Sequence, residues 1–423
     1  MSIRHLTCAG VAAALAWLTP AAQANHEDPE VVIEWNQLLQ DGIAPTLGVL
    51  QPRYYAMMHV AMFDAVNSIE GDYTKYRVRV GASRGASEEA AAAQAAHDVL
   101  AALIPANAAA YDAALAARLA QISPGRAAQG VAVGKAVANN ILAWRANDGS
   151  ATPPPPYVLP AIAGQWQPTT PGVPAAFTQV PKMAPFALLT TTEYLPLRHP
   201  ELTSDRYTTD FEEVKTIGSA TSTLRTPDQT QLARLFAGVI TRTTVFAAWN
   251  NVARDVARMQ NLSLIDTARV FALLNASEHD GLVTSHTAKF VYGFWRPMTA
   301  IRNADQDLNP NTAADPAWTP LITTPPYPSY PGNMACVGAS SARALALAFG
   351  TNDIPFTVLW LGNAASPVDV PKSYAGFWQF AQDEANARIY GGIHYRFDNE
   401  ASQENCPKVS EYVHARYMRP LHN

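Results

Sequence analysis

Charge is in short supply in this 423-residue sequence and neither sign prevails: 30 Lys and Arg face 35 Asp and Glu, a formal net charge of -5. A chain without a general basic footprint is a poor match for nucleic acid or an anionic membrane surface, so any affinity for anions has to be local. Beyond the N-terminus no stretch reaches 18 uncharged apolar residues, which argues against a membrane-spanning helix. The sequence holds no Cys-x-x-Cys, HExxH, P-loop or dinucleotide fingerprint. Tandem repeats are absent, and strand signals are sparse. Cysteine is limited to three residues.

What is present is a chain that is 48% hydrophobic, long enough to bury a large core. Arg4, the apolar run from Cys8 to Leu18 and the small-residue site Ala22-Gln23-Ala24 read as an export signal over residues 1–24. The mature chain then begins at Asn25, and a periplasmic or secreted protein is expected. Loss of the signal removes Cys8 and leaves Cys336 and Cys406 in a compartment where thiols oxidise. They either form one bridge or remain two buried thiols.

Apolar residues at helical spacing over 29–40, 51–70, 87–104, 107–122 and 125–148 predict an N-terminal helical half, residues 25–150. Residues 151–205 hold too many prolines for helix and predict an extended crossover. Helical patterns resume over 206–217, 226–261, 263–290, 338–349, 373–390 and 407–417, within a C-terminal half of 206–423. The expected fold class is all-α: two helical bundles joined by a proline-rich crossover, with the chemistry in the second.

Gly81-Ala82-Ser83-Arg84-Gly85 matches the GxSxG of a hydrolase nucleophile elbow. The Arg77-Val78-Arg79-Val80 run before it alternates with arginine, so it cannot be a buried central strand. The strand–helix alternation of that fold is also missing. The residues that carry chemistry gather in the C-terminal half. Lys289 and Arg296 are seven apart, so two helical turns would put both cations on one face. Pro297 disfavours helix at Arg296, which predicts that this side chain projects from a helix end. Arg388 closes an amphipathic segment that Gly391-Gly392 breaks before His394. Such a set can converge on one tetrahedral oxyanion.

In these residues the sequence resembles the vanadium-dependent haloperoxidase and type 2 phosphatidic acid phosphatase superfamily, especially its secreted, soluble haloperoxidase-like branch. The likeness runs from VIEWNQ and MMHVAMFDAVNSIEGDYT through FWRPMTAIRNADQDLNPNTAADPAWTPLITTPPYPSYP to RIYGGIHYRFD. It implies that Lys289, Arg296 and Arg388 hold the equatorial oxygens of vanadate or phosphate. It also implies that His394 binds the metal axially or, in the phosphatases, attacks phosphorus. One cradle suits both, because nitrogen-bound vanadate and phosphoryl transfer to histidine share a trigonal bipyramid.

The chain departs from the family in the middle motif. Where members read YPSGH, it reads Tyr330-Pro331-Gly332-Asn333-Met334. Gly332 stands for the serine that hydrogen-bonds the oxyanion, Asn333 for the glycine that donates its amide, and Met334 for the acid–base histidine. A thioether carries no proton, and general acid–base help is worth about 10²–10⁴ in rate. Met334 is then either the cause of slow chemistry or a core methionine in a retired site. Asn333 still offers a hydrogen-bond donor. His286, three residues before Lys289, is a candidate replacement acid–base group or halide-tuning residue, with packing as a structural histidine the alternative. A metal site of His279, His286 and Asp280 is a thinner option, since Asp280 points off the face that the histidines share.

The resemblance implies an enzyme that oxidises halide with hydrogen peroxide at a His-bound vanadate, impaired at Met334. Phosphate is expected to fit the same site. The alternatives are a phosphomonoesterase working through phospho-His394 and a non-catalytic oxyanion-binding homologue. Expected partners are small molecules: hydrogen peroxide, halide or a phosphate ester.

Overall fold

The computed structural model describes residues 27–421; the expected export signal lies outside the described residues. The N-terminal half folds as α1 (Glu30–Gly42), α2 (Gln51–Glu70), α3 (Glu88–Leu103), α4 (Ala108–Leu119) and α5 (Pro124–Arg145). The Ser87 side chain caps α3 by accepting from the Ala90 amide, which satisfies one of the donors a helix start leaves free. The C-terminal half folds as α6 (Asp205–Ile217), α7 (Pro227–Phe236), α8 (Val245–Met259), α9 (Leu264–Tyr292), α10 (Pro297–Arg302) and α11 (Asn333–Phe349). An antiparallel hairpin, β1 (Phe356–Trp360) with β2 (Val370–Tyr374), leads to α12 (Phe377–Tyr390) and α13 (Arg396–Arg416). Among the described residues the fold is all-α apart from that hairpin. No helix among the described residues is long and apolar enough to cross a membrane.

Several boundaries differ from the expected ones, for local reasons. The pattern over 226–261 is broken by Gly238, which takes φ +70 and ends α7; Thr244 then caps α8 through the Ala247 amide. Residues 370–374 pair with β1, so α12 starts at Phe377 and not at 373. Pro407 does not start α13 but lies inside it, because the helix already begins at Arg396, where the Asp398 carboxylate accepts from the Tyr395 amide. The GxSxG segment sits in an exposed turn, where the Ser83 hydroxyl accepts from the Gly85 amide and no strand precedes it. It is therefore no nucleophile elbow.

The axis of the molecule is α9, buried along nearly its whole length from Leu264 to Lys289. A helix with no solvent face belongs in the middle of a fold, and α9 packs on α2 from the first half and on α11 and α13 from the second. One hydrophobic core therefore runs through both halves, linking Met58 and Phe63 to Phe271, Leu274 and Val413. A separate aromatic cluster of Tyr207, Phe294, Trp295, Tyr330, Tyr395 and Phe397 lies beside the retained motifs. A disulfide joins Cys336 on α11 to Cys406 on α13, with Cα atoms 5.3 Å apart. Its 70-residue separation corresponds to about 4 kcal/mol of loop-closure stabilisation.

The crossover is strapped down. The Asp280 carboxylate on α9 accepts from the backbone amides of Phe186, Ala187 and Leu188 at 2.6, 2.7 and 2.9 Å. His279 Nδ1 donates to the same carboxylate at 3.0 Å, and its ring meets Phe186 edge-on. This corrects the metal option: Asp280 and His279 are committed to the strap. No group of three His, Cys, Asp or Glu side chains placed to hold a metal occurs among the described residues. Farther along, the Trp166 amide donates to Gly293 O and the Trp295 amide to Gly164 O, so the crossover also fixes the turn that follows α9.

Removing the Asp280 carboxylate would leave three buried amides without acceptors, each at about 1–3 kcal/mol. Asp280→Ala is expected to cost about 3 kcal/mol or more, read as a lower urea midpoint, and Asp280→Asn, which keeps one acceptor oxygen, distinctly less.

Candidate active site

Gly293, at φ +60, ends α9 in the left-handed region and turns the chain away. Arg296 follows in extended conformation as the cap of α10. Lys289 and Arg296 therefore do not share a helix face; the turn brings them together. Both are fully buried. Lys289 Nζ donates to Pro328 O and Ser329 O at 3.1 and 2.6 Å. Arg296 donates from Nε to Tyr327 O and from Nη1 to Ile393 O, each at 2.8 Å. Arg388, in the last turn of α12, donates from Nη1 to Phe236 O at 3.3 Å.

His394 lies in the turn between α12 and α13, its Nε2 3.0 Å from Arg296 Nη1. A guanidinium only donates, so Nε2 must be the accepting, unprotonated nitrogen. Nδ1 then carries the proton and donates it to Asp398 Oδ2 at 2.7 Å. The Ser329 hydroxyl donates to the same oxygen at 2.6 Å. Asp398 and Ser329 were not singled out from the sequence. The four-residue spacing of His394 and Asp398 was a usable signal for the first; nothing local marks Ser329.

Lys289 and Arg296 thus lie near the Asp398 carboxyl, Arg388 has the buried Glu384 as its acidic neighbour, and the local proton affinities reflect the crowding of three buried cations. Burial, then Arg296, Lys289 and Arg388, pushes His394 well below the ordinary histidine range and keeps it neutral. Burial, then Arg296, pushes Lys289 well down. Burial brings Arg296 down to about 10. For Asp398, burial pushes the carboxyl up against the opposing pull of Ser329, Lys289 and Arg296. Beside these cations the buried donors Arg296 Nη2, Arg388 Nε and Asn333 Nδ2 have no partner, and neither has the acceptor Asp398 Oδ1. Unpaired donors and excess positive charge away from water are costly. A tetrahedral oxyanion has the charge and the acceptors to relieve both.

The altered motif opens α11. Gly332 caps the helix, its amide donating to Asp398 O at 2.8 Å. A Cβ at this position would lie 2.4 Å from Asn399 Oδ1, so Asn399 fills the space that a serine side chain needs. Asn333 is buried. Met334, half-buried, lines a cavity of about 560 Å³ together with Tyr327 and Arg388. His286 does not line it. His286 is fully buried, donates from Nδ1 to Leu282 O at 3.1 Å, and has the Tyr327 ring 5.6 Å away. Burial and Lys289 push its pKa down to about 3, which makes it a weak proton acceptor.

Residues 269–423 match the family model described as the VCPO second helical-bundle domain. The vanadium chloroperoxidase of Curvularia inaequalis is 23% identical over 193 residues, which is 36% of this chain and 31% of that protein. The chain therefore spans about a third of the curated relative it matches. Among solved structures, the first bacterial vanadium-dependent iodoperoxidase superposes with a TM-score of 0.78 at 21% identity, covering 93% of this chain and 98% of that one. A holo-type bacterial vanadium-dependent chloroperoxidase gives 0.70 at 15% identity, covering 94% and 96%. The C-terminal part of the chain thus matches the family model of a VCPO helical-bundle domain, and its fold is shared over nearly its whole length with bacterial vanadium-dependent haloperoxidases.

Proposed function

We propose that this chain is a vanadium haloperoxidase-like enzyme that holds vanadate among Lys289, Arg296, Arg388 and His394 and oxidises halide with hydrogen peroxide. The observation that carries the proposal is the trio of unpartnered buried donors, Arg296 Nη2, Arg388 Nε and Asn333 Nδ2, in a chain whose His394 keeps Nε2 free of a proton. Vanadate, when bound, supplies a Lewis-acid centre that activates peroxide. The residues of the chain do the rest. The three cations offset the oxyanion charge, Asp398 fixes the imidazole tautomer, and Ser329 holds Asp398 in place. The export signal expected over residues 1–24 agrees with a place in the periplasm or beyond.

Proton transfer is the function for which the residues are poorest. Met334 occupies the motif position of the acid–base histidine, and His286 is too weak a base at neutral pH. The proton that peroxide loses passes to water, and turnover is slow. The same His394–Asp398 pair leaves a nucleophilic Nε2, so the phosphomonoesterase reading stands as the second.

Titration of the protein with vanadate, then with peroxide and bromide or iodide, is expected to show binding at micromolar to millimolar levels and slow halide oxidation. Hydrolysis of an aryl phosphate in place of halide oxidation would select the phosphatase reading. Binding without either turnover would leave an oxyanion-binding homologue, and no binding of vanadate or phosphate would remove the cradle itself.

Oxyanion affinity should also depend on pH through Lys289. Its pKa lies well below the usual value, about 10.4 for a free lysine. The cation, and with it the affinity, is full below that lowered pKa and is lost as pH rises through it. Phosphate affinity measured by calorimetry should therefore fall at a lower pH than an ordinary lysine would dictate, and Lys289→Met should bind weakly with no such step.

Met334→His is expected to raise haloperoxidase kcat by about one to three orders of magnitude. The single variant is the clean one, because Gly332→Ser would run into Asn399. An unaltered protein that already matches the variant would defeat the acid–base account.

A further inference from the structure

The cavity in front of Arg388 has features that a site for inorganic vanadate, peroxide and halide does not need. At about 560 Å³ it falls within the range of sites for small organic molecules and greatly exceeds a tetrahedral anion. Its walls include Phe177, Phe236, Val239, Phe246 and Met334, contributed by the crossover, the end of α7, the α7–α8 link, the start of α8 and the start of α11. With a thioether at Met334 the apolar wall reaches the altered motif at the start of α11.

Two further observations tie this apolar space to the anion cradle and suggest a purpose for it. Arg388 lines the cavity while its Nε lacks a partner, and its Nη1 donates to the carbonyl of Phe236, itself a wall residue. The cation is thus presented at the end of an aromatic lining. Phe177 holds its backbone at φ +62, a left-handed conformation that bulky residues avoid and that marks stored strain where it is kept. The strained residue sets its ring against the cavity, in edge contact with Tyr327 at 6.2 Å. Val239, 45% exposed, continues the apolar lining to solvent.

We infer that this cavity is a binding site for the aromatic body of an organic oxyanion whose anionic head sits at Arg388. The inference rests on the oxyanion-binding reading of the cradle and adds to it the class of ligand: a phosphate, phosphonate or similar tetrahedral group carrying an aryl substituent. The head meets the unpartnered guanidinium donor, and the ring is removed from water against Phe177, Phe236, Phe246 and Met334. Transfer of one ring from water into such surroundings corresponds to about 10- to 100-fold in affinity.

The test compares inorganic phosphate, methylphosphonate and phenylphosphonate on the full chain by calorimetry, none of which requires turnover. Phenylphosphonate is expected to bind at least about 10-fold more tightly than methylphosphonate. Phe177→Gly removes the ring while glycine accepts the positive φ, so the fold should be kept. That variant should lose most of the phenyl preference and leave inorganic phosphate binding unchanged. Val239→Asn, at the exposed rim, should reduce the preference in the same direction. Phosphate binding with no phenyl preference overturns the inference and leaves the cradle intact. A phenyl preference that both variants retain overturns it as well, by locating the ring elsewhere. Failure of all three anions to bind overturns both readings together.

Discussion

Lys289, Arg296 and Arg388 lie in the interior, the first two near Asp398 and the third near Glu384, and backbone carbonyl oxygens make that arrangement tolerable. Tyr327, Pro328, Ser329, Ile393 and Phe236 each lend an oxygen to one of these cations. Those carbonyls belong to the loop before α11, the turn between α12 and α13, and the end of α7. The cations therefore join segments far apart in sequence, and they do so without exhausting their donors. Carbonyls solvate the charge but cannot neutralise it, so the region keeps an excess of positive charge and donors without partners.

The rest of the fold holds that arrangement in place. The turn that carries Arg296 is pinned to the crossover by reciprocal amide bonds around Gly164 and Gly293, and the crossover is pinned to α9 by Asp280. The helices that open and follow the altered motif are joined by the Cys336–Cys406 bridge. The two halves meet through a shared core and through a buried polar chain. Within it Asn36 on α1 donates to Asn250 at 2.7 Å and accepts from Arg254 at 2.8 Å. Buried polar groups that satisfy one another across an interface favour one relative placement of the halves.

Met334 separates two properties that usually travel together. Binding of an oxyanion depends on fixed positive charge and directed donors, and Arg296 and Arg388 carry both. Acid–base chemistry depends on a group that titrates near neutral pH, and the histidines at hand do not: His286 and His394 are both held neutral by burial and by the same cations. The field that would gather an anion thus also suppresses the nearest proton carriers. The thioether does not titrate and extends the apolar wall of the cavity beside Arg388.

Local pattern alone determined much of this protein. Apolar periodicity is a property of neighbouring residues, so the helices and the proline-rich crossover could be read directly. The retained cations, His394, the departure at Gly332-Asn333-Met334 and the pair of cysteines available for a bridge could be read as well. Asp398 was within reach of the same reasoning through its spacing from His394. The tertiary structure alone decided the break at Gly238, the hairpin before α12 and the clamp of Asp280 on the crossover. It also placed Lys289 and Arg296 together through a turn rather than a helix face. The occlusion of Gly332 by Asn399 and the aromatic cavity at Arg388 belong with these, because each depends on contacts between segments that sequence spacing does not relate.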